Sequence, residues 1–159
     1  MLIFRARNLP AYLMAAVFFL VIVDSASAQS RFGVRGGISV DPEQVYFGGH
    51  IDVAEIAKQF WFRPNVEIGF GDSRTIAGFN AEFVYRPSVR SREWNPYFGG
   101  GPALVIRSFG DGPGDDTDVG PGFNFLGGVE LRKGFLAEIK IGALDSPGFK
   151  LGIGWSWPR

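Results

Sequence analysis

Residues 150–159 read KLGIGWSWPR. Leu151, Ile153, Trp155 and Trp157 alternate with Lys150, Gly152, Gly154 and Ser156, the period of two that places successive side chains on opposite faces of a strand. An unpaired apolar strand at a chain end is a template for aggregation in water. The pattern makes physical sense if this strand closes a barrel and turns its apolar face towards something other than water.

The same alternation recurs upstream. It predicts eight strands, Arg31–Val40, Val45–Ala54, Phe60–Phe70, Thr75–Arg86, Pro96–Arg107, Phe123–Leu131, Phe135–Gly142 and Phe149–Trp157. Turn signals separate them: DPEQ, EIAKQ, GDSR, PSVRSREWN, the long SFGDGPGDDTDVGPG, RKG and ALDSPG. Segments of about ten residues are long for a soluble sheet and suit a tilted membrane-crossing strand. One face collects Phe32, Val34, Ile38, Val45, Phe47, Ile51, Val53, Phe60, Phe62, Val66, Ile68, Phe70, Phe79, Phe83, Phe125, Val129, Ile139, Leu151 and Ile153, with no charge. The other carries Arg35, His50, Asp52, Arg63, Asn65, Glu67, Asn80, Glu82, Asn124, Glu130, Glu138, Lys140 and Lys150, spaced by glycine and serine. In the fifth strand Phe98, Leu104 and Ile106 are assigned to the apolar face, which turns Arg107 away from it.

Two inverted architectures fit such a sheet. A soluble lipocalin-like barrel would bury the apolar set and hold an apolar ligand, whereas a membrane barrel turns that set towards lipid. An eight-stranded barrel has an interior that side chains just fill. More than twenty mostly large apolar residues would crowd it, and the glycine-rich charged set fits better. Counting strands alternately up and down from a periplasmic start places Trp61, Tyr85, Trp94, Tyr97, Phe135, Trp155 and Trp157 at one end, the arrangement of an interfacial aromatic girdle. The expected fold is therefore all-β, an eight-stranded antiparallel up-and-down transmembrane β-barrel.

The front of the chain is of another kind. Arg5 and Arg7 precede a mostly apolar run over Ala11–Val23, and Ala26-Ser27-Ala28 follows it. That is the layout of a cleavable signal peptide, and the run is shorter than the roughly 20 residues of a spanning helix. Residues 1–28 are expected to be the signal and 29–159 the barrel domain. All 23 glycines follow residue 28, more than twice the usual share. Cysteine is absent, so no disulfide braces an exported domain. Acidic and basic residues number 16 each, and no basic block exists to neutralise a nucleic acid's phosphates.

The order of these segments resembles the small eight-stranded outer-membrane barrels of Gram-negative bacteria, the OmpA/OmpX-like β-barrel superfamily with its outer membrane protein beta-barrel domain. NPYFGGGPAL is similar to the family's glycine-rich PY-x-G-x-G strand, and NFLGGVELRKGFLAEIKIG to its penultimate hairpin. Lys150, Gly152, Trp155 and Trp157 fall on its terminal assembly signal, polar-x-Gly-x-x-hydrophobic-x-hydrophobic. Pro158 and Arg159 depart from the family pattern, which ends at the last aromatic. The resemblance implies an outer-membrane location, contact with outer-membrane lipid, and the insertion machinery as a partner during assembly. It also implies a monomer with a structural or surface-interaction role.

Some barrels of this size are lipid A deacylases or palmitoyltransferases. A deacylase of that kind needs a His-Ser pair with an acidic orienter. His50 is the only histidine, no His-x-Ser motif exists, and the alternation turns His50 inward. No catalysis and no cofactor are expected. Asp111, Asp115, Asp116 and Asp118 cluster in the long loop, but the acidic twelfth position of a calcium loop is missing, so they read as a solvated acidic loop. The charge network Arg35, His50, Asp52, Arg63, Glu67, Glu82, Glu130, Glu138, Lys140 and Lys150 is expected to plug the lumen, since unpaired buried charges cost several kcal/mol each. A narrow porin-like pore is the alternative.

Overall fold

A computed structural model describes residues 30–71, 74–89, 93–109 and 116–157. The expected signal segment, residues 1–28, lies outside them, as do Asp111, Asp115, Pro158 and Arg159. Nine strand segments follow one another: β1 (Arg31–Val40), β2 (Glu43–Asp52), β3 (Ala54–Ala57), β4 (Phe60–Gly71), β5 (Arg74–Tyr85), β6 (Trp94–Phe109), β7 (Asp116–Leu131), β8 (Phe135–Leu144) and β9 (Phe149–Trp157). Each pairs antiparallel with its neighbours, and β1 pairs with both β2 and β9, so the sheet closes on itself. Both β2 and β3 pair with β4 and form one interrupted stave. The result is a closed eight-stranded barrel with no free seam.

Proline explains the interruption. The β2–β4 ladder ends at His50 opposite Asn65 and resumes at Ala54 opposite Phe62. Pro64 lies in the gap, and it has no N–H to donate. Val53 was expected on the outer face, but it is buried beside buried Asp52, and its N–H donates to the Phe62 carbonyl at 3.0 Å. The β5–β6 ladder likewise skips between Asn80–Ala103 and Phe83–Gly100, where Pro102 sits.

The third hairpin is longer than its sequence suggests. SFGDGPGDDTDVGPG reads as loop, yet β6 and β7 pair without a break from Trp94–Leu131 to Phe109–Asp116. Pro121 is tolerated there because β8 reaches only as far as Gly122–Leu144. Above that point β7 is an edge, where a proline forfeits no ladder bond.

Burial runs opposite to that of a soluble barrel. Phe47, Phe125 and Ile153 are each about 60 % exposed (61, 57 and 60 %), whereas Arg63, Asp52 and Glu82 are fully buried. The lipocalin-like arrangement, with the apolar set inside, is not the one found. A small apolar cluster of Val84, Tyr97 and Leu126 does lie inside, together with buried Leu136, Val105 and Ile76.

Candidate functional site: the charged lumen

The inward positions of the staves meet on the barrel axis. We call the end where β1 begins and β9 ends the lower mouth. There Asp52 accepts from Arg63 Nε at 2.7 Å and from Arg86 Nη2 at 2.7 Å. The Arg86 guanidinium covers the Trp61 ring at 5.6 Å. Glu130 accepts from Arg31 and lies 3.7 Å from Arg86. Midway along the axis Glu138 accepts from Arg35 and from the Tyr97 hydroxyl, the latter at 2.9 Å. Arg63 stacks over the Tyr97 ring at 4.8 Å.

Towards the upper mouth Glu67 accepts from Lys140 and Lys150, each at 2.6 Å, and Lys140 donates to Glu82 at 2.5 Å. A ladder of amides crosses the same region: Asn124 donates to Asn80, and Asn80 to Asn65, each at 2.7 Å. Every carboxylate inside thus faces at least one cation. That compensation is required, because desolvating a lone charge costs several kcal/mol.

All ten residues of the expected charge network are buried in this interior. The structure adds Arg31, Arg86 and Tyr46, whose inward parity was readable along their strands, and it moves two aromatics. Tyr97 was expected in the girdle; it is 2 % exposed and bonded to Glu138. The alternation that turns Phe98 outward turns Tyr97 inward. Trp61 shares the parity of Arg63 and sits under Arg86 at the mouth, so it too leaves the outer girdle. The others remain outside at the lower end. Trp157 stacks on Phe32 with ring centroids 4.9 Å apart, Tyr85 packs on Phe98 at 5.3 Å, Phe135 lies opposite Trp155, and Trp94 is exposed.

His50 meets a serine that the linear sequence hides. Its Nε2 lies 3.1 Å from Ser156 Oγ. Both residues stand opposite Gly33, one on each side of β1. Only glycine leaves them room, since a Cβ at Gly33 would overlap the imidazole. A nucleophile-base pair needs an oriented base and access to substrate. Here both residues are at most 2 % exposed, His50 Nδ1 has no hydrogen-bond partner among the described residues, and Asp52 is engaged by two arginines. The contact ties β2 to β9 across the seam.

The upper mouth is covered by the β8–β9 turn. Asp145 N–H donates to the Pro121 carbonyl at 3.1 Å, and Gly148 N–H to the Asp41 carbonyl at 2.7 Å. Arg107 binds the Asp145 carbonyl at 2.5 Å and its carboxylate at 2.9 Å. Ser146 and Pro147, both buried, are pressed into the opening. Of the acidic loop, Asp118 pairs with Arg107 at 3.4 Å, and Asp116 is described only in its backbone.

No protein-family model matches the sequence, and no curated protein matches it. Solved structures do. The N-terminal β-barrel domain of Pseudomonas aeruginosa OprF is similar with a TM-score of 0.62 at 12 % identity, covering 81 % of this chain and 97 % of that one. Neisserial surface protein A is similar with a TM-score of 0.60 at 15 % identity, covering 82 % and 95 %. The de novo designed TMB2.3 matches with a TM-score of 0.50 at 12 % identity, covering 82 % and 93 %. Closure, strand number and antiparallel order agree with this likeness, and the chain has the fold of the eight-stranded outer-membrane barrels.

Proposed function

We propose that the chain is an outer-membrane β-barrel of a Gram-negative bacterium, with a structural or surface-interaction role, no catalysis and a lumen plugged by its own paired charges. The inverted burial carries this reading. A continuous apolar band surrounds a charged interior, and only a hydrocarbon surround makes that distribution favourable. Outer-membrane lipid is then the partner of Phe47, Phe125, Ile141 and Ile153. Trp94, Trp155 and Trp157 anchor the lower, periplasmic end. Residues 1–28 serve as the export signal. Lys150, Gly152, Trp155 and Trp157 are read by the insertion machinery, and the folded barrel is a monomer.

Fractionation of a Gram-negative host expressing the full chain tests this. Folded protein should sediment with outer membranes, require detergent for extraction and begin at Gln29. Recovery as a soluble periplasmic protein would overturn the reading.

A further inference from the structure

Under the β8–β9 turn, the upper lumen holds a small, partly open cavity of about 20 Å³. Its wall includes Ser39 of β1, Tyr46 of β2 and Ser146 of the turn, together with Gln44, Glu67 and Lys150. Three wall hydroxyls, Ser39 Oγ, Tyr46 OH and Ser146 Oγ, are buried and have no hydrogen-bond partner among the described residues. Their residues are 5, 3 and 8 % exposed. Leaving three such groups dry in one small space is costly, because each buried unpaired hydroxyl forfeits its hydration.

Size and charge select the occupant. A cavity of ~10–15 Å³ or more admits one water, and a water needs two to four polar partners. This cavity meets both conditions and is too small for an organic solute. Lys150 in the wall opposes a cation, and Glu67 opposes an anion. A neutral molecule that both donates and accepts is required.

We propose that a single ordered water binds here, shared by Ser39, Tyr46 and Ser146, and forms the outermost layer of the lumen filling. It joins β1, β2 and the β8–β9 turn. The covering turn is thereby held from beneath as well as by Arg107 from the side. The proposal is independent of where the barrel resides.

Hydroxyl deletions in the full barrel, unfolded reversibly in lipid vesicles, test it. Tyr46→Phe keeps the ring that Lys150 faces at 5.5 Å, and Ser39→Ala removes only an oxygen. With a shared water, each change lowers the folding equilibrium constant about two- to tenfold. Together they lower it by less than the product of the two, since the second deletion acts on a water already loosened. In a dry cavity, deletion removes an unpaired polar group, so the constant rises or stays the same, and either result overturns the proposal. Strictly multiplicative losses would overturn the sharing. Cross-relaxation between water and the Tyr46 ring protons reads the site directly. Its presence supports the assignment, and its absence beside a protonated, folded ring contradicts it.

Discussion

At the scale of single residues, the interior is assembled by pairs of opposites: large groups seated where a neighbour has no side chain, and charges seated against counter-charges. Gly33 is the plainest case of the first. His50 and Ser156 meet across it, and a Cβ there would overlap the imidazole and lie 2.8 Å from the Trp155 carbonyl oxygen. Gly33→Ala should therefore destabilise the barrel by about 1–3 kcal/mol. Adding His50→Ala should recover part of the loss, which equilibrium unfolding in vesicles reads. Gly128 gives way to Tyr97 in the same manner, for its Cβ would stand 2.6 Å from the tyrosine hydroxyl. Glu67 is the plainest case of the second. Two lysines donate to it, and Lys150 has no other carboxylate partner among the described residues. Glu67→Gln should cost about 3–5 kcal/mol, because it strands a buried ammonium. Glu67→Gln combined with Lys150→Met should be milder than the single change. Equal or greater damage in the double variant would count against the pairing. Outside the break in the second stave, which residues point inward was legible in the sequence, since parity sorts them there. Which inward residues meet was not. Tilt and stagger bring together residues as distant as Arg35 and Glu138, and no linear spacing records that.

At the scale of elements, prolines and strand length decide where the ladders run. Pro64 and Pro102 each coincide with a gap in pairing, on the side where an N–H is missing. The alternation around Val53 misleads because it carries a period of two through the break in the second stave. The loop reading of residues 108–109 and 116–122 fails for a different reason. Gly, Pro and Asp signal turns locally, but cross-strand pairing with β6 overrides that preference along the whole of β7. Tyr97 has the height and chemical type of a girdle residue, but the outward Phe98 beside it fixes its face as inward. β9 pairs with β8 on one side and β1 on the other, its Leu-Ile-Trp-Trp row faces out, and its Gly-Gly-Ser row leaves space inside. Replacing Trp155 and Trp157 with serine should lower the amount of folded barrel in the outer membrane. The stack on Phe32 is lost, and with it two hydrophobic positions of the proposed assembly signal. Unchanged yield, measured by the heat-dependent gel mobility of outer-membrane fractions, would contradict the signal role while leaving the barrel intact.

At the scale of the whole molecule, closure and filling work together. A closed sheet satisfies its backbone without edges, and the space it encloses is occupied by ion pairs, an amide ladder and the covering turn. In a planar bilayer the purified barrel should carry little or no steady current. Large, stable, ion-selective openings, with insertion verified by protease protection, would favour the pore. Fold class, strand number and the charged interior were all legible from alternation and composition, because an inverted barrel must write its two faces into every strand. The covering turn was not, since ALDSPG reads as an ordinary hairpin and its inward fold depends on Arg107 from another strand. The claim beneath all of this is that lipid meets the apolar face. Magnetisation transfer from acyl-chain methylenes to side-chain methyls, in lipid nanodiscs, tests it most directly. Strong transfer is expected to the exposed Ile38, Ile139, Leu151 and Ile153, and none to the buried Val84, Leu126 and Leu136. Transfer to the second set, or none to the first, would contradict it.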